Sequence, residues 1–128
     1  MRQLNIALFV LLLYCVSCVQ TKPSITPAPW QKIEFDLAQL DADGLRGPAD
    51  GKVAVAYEFC IPNTDACKAQ VKAIDNTVQF MPESRGRIGA NKQECLCVGS
   101  THQKRSRQVL HVLANLSYVR RIIECHFE

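Results

Sequence analysis

Five cysteines carry the most reactive side chains of the chain's body: Cys60, Cys67, Cys95, Cys97 and Cys125. Cys15 and Cys18 near the N-terminus bring the total to seven. Thiols at such spacings can form structural disulfides, supply soft ligands to zinc or copper, or exchange electrons as thiolates. The metal reading would use Cys60, Cys95 and Cys97, with Cys67 or His102 as a fourth ligand. It lacks paired C-x-x-C motifs, and a single C-x-C on a strand is weak evidence. Redox catalysis needs a low-pKa thiol at a helix N-terminus, a position that only Cys67 approaches. Exported cysteines usually pair, so a structural disulfide is favoured, with metal-binding or thiol-redox chemistry as the alternative.

A second group of residues suits an anion. Glu83-Ser84-Arg85-Gly86-Arg87-Ile88-Gly89 sets two guanidinium groups about a glycine, and Arg85 and Arg87 can present planar donors to a carboxylate or phosphate. Asn63 and Asp65 lie in the turn expected to face this loop, which makes Arg85, Arg87, Asn63 and Asp65 the candidate partner-binding set. Nucleotide-binding glycine spacings are absent. His102, His111 and His126 fall on different elements, and no nucleophile, base and acid are assembled, so the expectation is a protein that is not an enzyme, with no cofactor and no resident metal.

The N-terminus predicts export. Met1-Arg2 is followed by an almost unbroken apolar run from Ile6 to Val19, shorter than the roughly 20 residues a membrane-spanning helix requires. Residues 1–17 therefore read as a signal peptide. Ser17-Cys18 resembles the cleavage site of bacterial lipoproteins, whose new N-terminal cysteine is acylated, which makes Cys18 the candidate lipid attachment. Cys15 stands where such sites usually carry Leu, so ordinary cleavage to a soluble secreted or periplasmic form is the other reading. Arg2 is the only charge removed with the signal, which lowers the net charge from +3 to +2. So small a positive balance argues against a nucleic-acid binder. With Cys15 removed and Cys18 acylated or lost, five cysteines remain, too odd a set to pair completely within one chain.

The elements follow from periodicity. Residues 18–31 form a Pro-rich tether, and 32–51 hold a short alternating stretch, Ile33 to Leu37, read as an extra edge strand ahead of a turn-rich loop. The Asp-rich loop lacks EF-hand spacing and reads as turn chemistry. Over 52–128 the order is strand, helix, strand, strand, helix, strand, the α+β arrangement of a ferredoxin-like sandwich with two helices on one face of an antiparallel sheet. Val53, Val55, Tyr57 and Phe59 share one face of the first strand, and Cys67, Val71 and Ile74 one face of the first helix. Strands follow at Thr77 to Met81 and Gln93 to Gly99. Ser100 to Gln103 has the form of a capping box, opening a helix with the stripe Val109, Leu110, Leu113 and Leu116. Arg120 to Phe127 closes the sheet, with Cys125 in the core beside Ile123 and Phe127.

In this arrangement Cys60, Cys95 and Cys97 are expected on the sheet face away from the helices, with Cys60 bridged to Cys95 or Cys97 and Cys67 to Cys60 as the competing bridge. Cys95 and Cys97, about 6.6 Å apart along one strand, cannot bond directly without distortion. The open face, with Ala54, Ala56 and Glu58, suggests a homodimer.

Tyr57-Glu58-Phe59-Cys60-Ile61-Pro62, Ser84-Arg85-Gly86-Arg87-Ile88-Gly89 and Leu96-Cys97-Val98-Gly99-Ser100-Thr101-His102-Gln103 resemble segments of small bacterial envelope lipoproteins of unknown function, of a kind met in cyanobacteria. The resemblance covers about 30–128. It implies export and one domain; no activity, ligand or site residue comes with it. The partner it leaves to be found is an envelope protein or an anionic ligand.

Overall fold

The computed structural model describes residues 27–127. The expected signal peptide, residues 1–17, and the expected lipid attachment at Cys18 lie outside the described residues. Over the described residues the chain is α+β, with two α-helices, a two-stranded ribbon and a four-stranded antiparallel sheet. In chain order the strands are β1 (Leu45–Arg46), β2 (Val53–Ala54), β3 (Ala56–Pro62), β4 (Gln79–Met81), β5 (Glu94–Ser100) and β6 (Ile123–Glu124). The helices are α1 (Asp65–Ile74) and α2 (Ser106–Asn115). The ribbon is β1-β2, and the larger sheet runs β4-β5-β3-β6, with every pair antiparallel.

Local chemistry starts the first helix. Thr64 is its N-cap, its hydroxyl accepting the Cys67 N–H at 3.2 Å, and Asp65 places a negative charge in the first turn, where the helix dipole favours it. The second helix begins later than the capping-box motif predicts. Its first residue is Ser106, and its N-cap, Arg105, sits in the left-handed region at φ 58° without a side-chain cap. Gln103 is drawn elsewhere, its amide donating to Asp75 at 3.1 Å and to the Ser100 carbonyl at 2.8 Å.

The core joins Tyr57, Phe59, Ile61, Cys95 and Cys97 from the sheet to Val71 of α1 and Leu110, Leu113 and Ala114 of α2. Ile122 and Val119 close it. Cys125 is only half-buried and Phe127 is 75% exposed, which corrects the expected core face of the last strand. That strand is short, and the buried residue is Ile122 just ahead of it, one position out of register with the predicted set.

Ile33 to Leu37 does not form an edge strand. Pro29–Lys32 and Leu37–Gln39 are 3-10 turns, and between them Ile33 makes one parallel bridge to Ile122. Lys32 holds this segment against α2. Its buried Nζ donates to the carbonyls of Ala114 at 2.8 Å and Leu116 at 3.3 Å, setting a cation where the end of a helix leaves acceptors unsatisfied.

Candidate functional site

The β3-β5 register decides what the cysteines can do. Phe59 pairs with Cys97, Ile61 with Cys95 and Cys60 with Leu96. Residues paired across an antiparallel ladder point to the same side, so Cys95 and Cys97 face the helices while Cys60 shares the opposite face with Leu96. The expectation that all three share one face is therefore corrected, and with it the Cys60 bridge to Cys95 or Cys97. Cys67 packs against the helix-side core, which separates it from Cys60 as well. All five cysteines of the described residues are free thiols. Among the described residues no group of three or more His, Cys, Asp or Glu side chains is placed to hold a metal ion.

Cys95 and Cys97 are fully buried. Burial, and then the neighbouring Cys95, push the Cys97 thiol far up. Cys60 is half-exposed in a groove of about 310 Å³ shared with Ile88, Gly89, Glu94, Arg120 and Arg121. Burial and then the Glu94 carboxylate raise its thiol to about 11. Arg120, paired with Glu94 at 2.6 Å, opposes this only in part. Only the thiolate reacts, so alkylation of Cys60 is expected to be slow at pH 8 and to accelerate roughly tenfold per pH unit toward its pKa. Cys95 and Cys97 should resist alkylation in the native protein throughout. Peptide mapping after timed labelling checks both; labelling of Cys60 at pH 7 as fast as free cysteine contradicts the environment described.

The face bearing Cys60 is not open. The 82–92 loop folds back over it and buries Leu96 and Glu58, each 2% exposed. The Ile88 N–H donates to Glu58 Oε1 at 2.7 Å, giving the buried carboxylate a fixed donor. Gly86, at φ 60°, lies so close that a Cβ there would stand 2.8 Å from Leu96 Cδ1 and 3.0 Å from Glu58 Oε2. The sequence left this face free for a second copy; the protein's own loop occupies it, and of the three residues proposed there only Ala54 is exposed.

The same loop builds a groove of about 550 Å³ beside the predicted partner-binding residues. Asn63, Glu83, Ser84, Arg85, Asn91 and Lys92 supply its polar walls, over Pro82 and Ala90. The backbone is held firmly there. The Arg85 carbonyl accepts from Gly89 N at 3.1 Å and Ala90 N at 2.7 Å, Asn91 Oδ1 accepts from Gln93 N at 2.9 Å, and Asn63 N donates to Gln93 O at 2.9 Å. Asn63 and Arg85 are thus brought together as predicted. Asp65 begins α1 outside the lining, and Arg87 lies toward Cys125, whose thiol is pushed up by burial first and then by the Glu58 carboxylate, with the Arg87 charge opposing them. Lys92 was missed; it lies three residues beyond the Glu83–Gly89 stretch.

The guanidinium of Arg85 differs from most others. Arg46 pairs with Glu124, Arg120 with Glu94, Arg121 with Glu34 at 2.7 Å, and Arg107 donates to the Leu40 carbonyl. Among the described residues, the side chains of Arg85 and Lys92 have no such partner, leaving two cations in one groove with their donors unspent. No family model, no curated protein and no solved structure matches the chain.

Proposed function

We propose that the protein is an exported envelope lipoprotein, acylated at Cys18 and tethered by residues 18–31, whose ferredoxin-like domain is a non-enzymatic binding module for an anionic group on a partner. The ferredoxin-like reading draws on the strand order β4-β5-β3-β6 and on a core shared by both helices. The carrying observation is the groove of about 550 Å³ in which Arg85 and Lys92 stand with Asn63 and Asn91. A carboxylate or phosphate can take two donors from the guanidinium, a point charge from the ammonium and hydrogen bonds from the amides. Glu83 on the same rim disfavours a ligand that fills the groove with negative charge and favours one anionic group on a larger, neutral body.

The anchor reading draws on the apolar run ending at Cys18. No helix among the described residues is long and apolar enough to cross a membrane, so attachment would fall to the lipid.

The test titrates 15N-labelled protein with a peptide bearing one phosphoserine among neutral residues. Amide shifts are expected to concentrate in 83–92 and at Asn63, and Arg85→Ala with Lys92→Ala should weaken binding at least tenfold. Shifts elsewhere, or shifts unaltered by the double variant, would remove the groove from the reading. The intact mass of protein from the membrane fraction tests the anchor separately: an acyl increment on Cys18 supports it, and its absence refutes it.

A further inference from the structure

Trp30 is the protein's single tryptophan, and it is 52% exposed. Its ring lies on His111 of α2, centroid to centroid 4.4 Å, and Val112 on the next position of that helix is 45% exposed. Large apolar side chains exposed near one another on one surface mark a candidate contact. The outward face of α2 continues from them through Arg107 and Gln108 to Lys104 and Arg105, all exposed. Among the described residues, Arg105 and Lys104, like Arg85, have no hydrogen-bond or ion-pair partner for their side chains.

The charge of this helix is one-sided. Lys104, Arg105 and Arg107 stand together at its start and α2 carries no acidic residue of its own, whereas Arg120 and Arg121 are paired with Glu94 and Glu34. Basic residues at the start of a helix oppose its dipole, so the fold gains nothing from their being there. Two acids approach from the 41–52 loop: Asp41, beside Arg105, is taken by Lys52 at 2.7 Å, and Asp43 lies beside Lys104 without pairing with it.

We infer that this face, Trp30, His111 and Val112 with Lys104 and Arg105, rests on the surface of an anionic lipid bilayer. A tryptophan with an exposed edge belongs at the depth of the headgroups, and lysine and arginine beside it draw anionic lipid. The inference rests on the reading of Cys18 as the anchor, which explains why the face lies where it does. The 18–30 stretch, at roughly 3.5 Å per residue, reaches no farther than about 40 Å, and it enters the domain at Trp30. An anchor brings this face to the bilayer at high effective concentration, so a weak contact suffices to orient the domain. The groove of Arg85 and Lys92 shares no residue with it.

The test uses residues 18–128 carrying Cys18→Ser, which removes the acyl chain and keeps every described residue. Vesicles of phosphatidylglycerol with phosphatidylcholine are expected to shift Trp30 emission to the blue and shield it from acrylamide, an effect reversed by salt. Phosphatidylcholine alone should do neither. Each basic side chain near the surface is worth roughly fivefold in partitioning, so Lys104→Gln with Arg105→Gln should lower it roughly 25-fold. No emission change with the anionic vesicles, an equal response to both lipids, or a response indifferent to the double variant would each overturn the inference. If the native protein carries an acyl mass while Trp30 ignores anionic vesicles, the anchor stands and this contact fails; Trp30 answering them in a chain never acylated at Cys18 shows the reverse.

Discussion

Gly44→Ala is expected to cost on the order of 3 kcal/mol or more, the largest loss from any single methyl group added to this protein. Gly44 sits at φ 75°, where L side chains are strained, and a Cβ there would overlap the Thr101 carbonyl oxygen and stand 2.7 Å from its carbon. Both opposing atoms are backbone, so no rotamer relieves the clash. Thr101 is fully buried and ties three segments together: its hydroxyl donates to the Gly44 carbonyl at 2.6 Å and accepts the Val55 N–H at 2.8 Å, while its own N–H reaches the Val55 carbonyl at 2.9 Å. Moving the 41–52 loop to make room breaks the first of these bonds. Gly89→Ala is the control, since φ there is 81° but nothing lies within 4 Å of the added Cβ. It should cost only the backbone strain, about 1 kcal/mol. Urea midpoints of the two variants decide the matter; equal losses would show that close packing against Thr101 is not what Gly44 provides.

Asp75→Ala is expected to lower stability by about 3 kcal/mol, roughly 10 °C in the melting midpoint of a domain this size. Asp75 is completely buried at the end of α1 and collects four donors. The Tyr57 hydroxyl meets Oδ2, while Oδ1 accepts from Thr77 N at 3.0 Å, Thr77 Oγ1 at 2.6 Å and Gln103 Nε2 at 3.1 Å. Removing the carboxylate leaves these donors facing a cavity rather than water. Burial first, then the Asp75 charge, pushes the Tyr57 hydroxyl far above its ordinary pKa, so it remains a donor at any pH the fold survives. Tyr57→Phe removes one donor of the four and should cost about 1 kcal/mol. In the Tyr57→Phe background, Asp75→Ala should cost less than it does alone, because one orphaned donor has already gone. Strict additivity of the two losses, measured by urea unfolding, would show that the pair is not coupled.

That network was hidden from any reading of neighbouring residues. Asp75 and Asn76 look like a helix stop and Gln103 like the third position of a capping box, each assignment consistent within a few residues. Tyr57 draws them together across β3, and Gly99, where a Cβ would come within 2.7 Å of the Tyr57 ring, gives that ring its place. What was legible is what depends on short range. Thr64 caps α1, Asp41 folds its loop by accepting from Asp43 N and Leu45 N, and Leu110 and Leu113 turn inward on α2. In the same way Asn63 and Arg85 could be set at one end of the sheet, because turns join its strands there.

The sequence alone determined the α+β composition and the buried stripe of α2, since periodicity acts within a few residues. Only the tertiary structure decided which way the cysteines of β5 point. Cys95, Leu96, Cys97 and Val98 are apolar on both sides, so alternation assigns them no face. Pairing Cys60 with Leu96 and folding the 82–92 loop over them makes the choice, because a sheet face becomes interior or surface according to what the distant chain lays upon it.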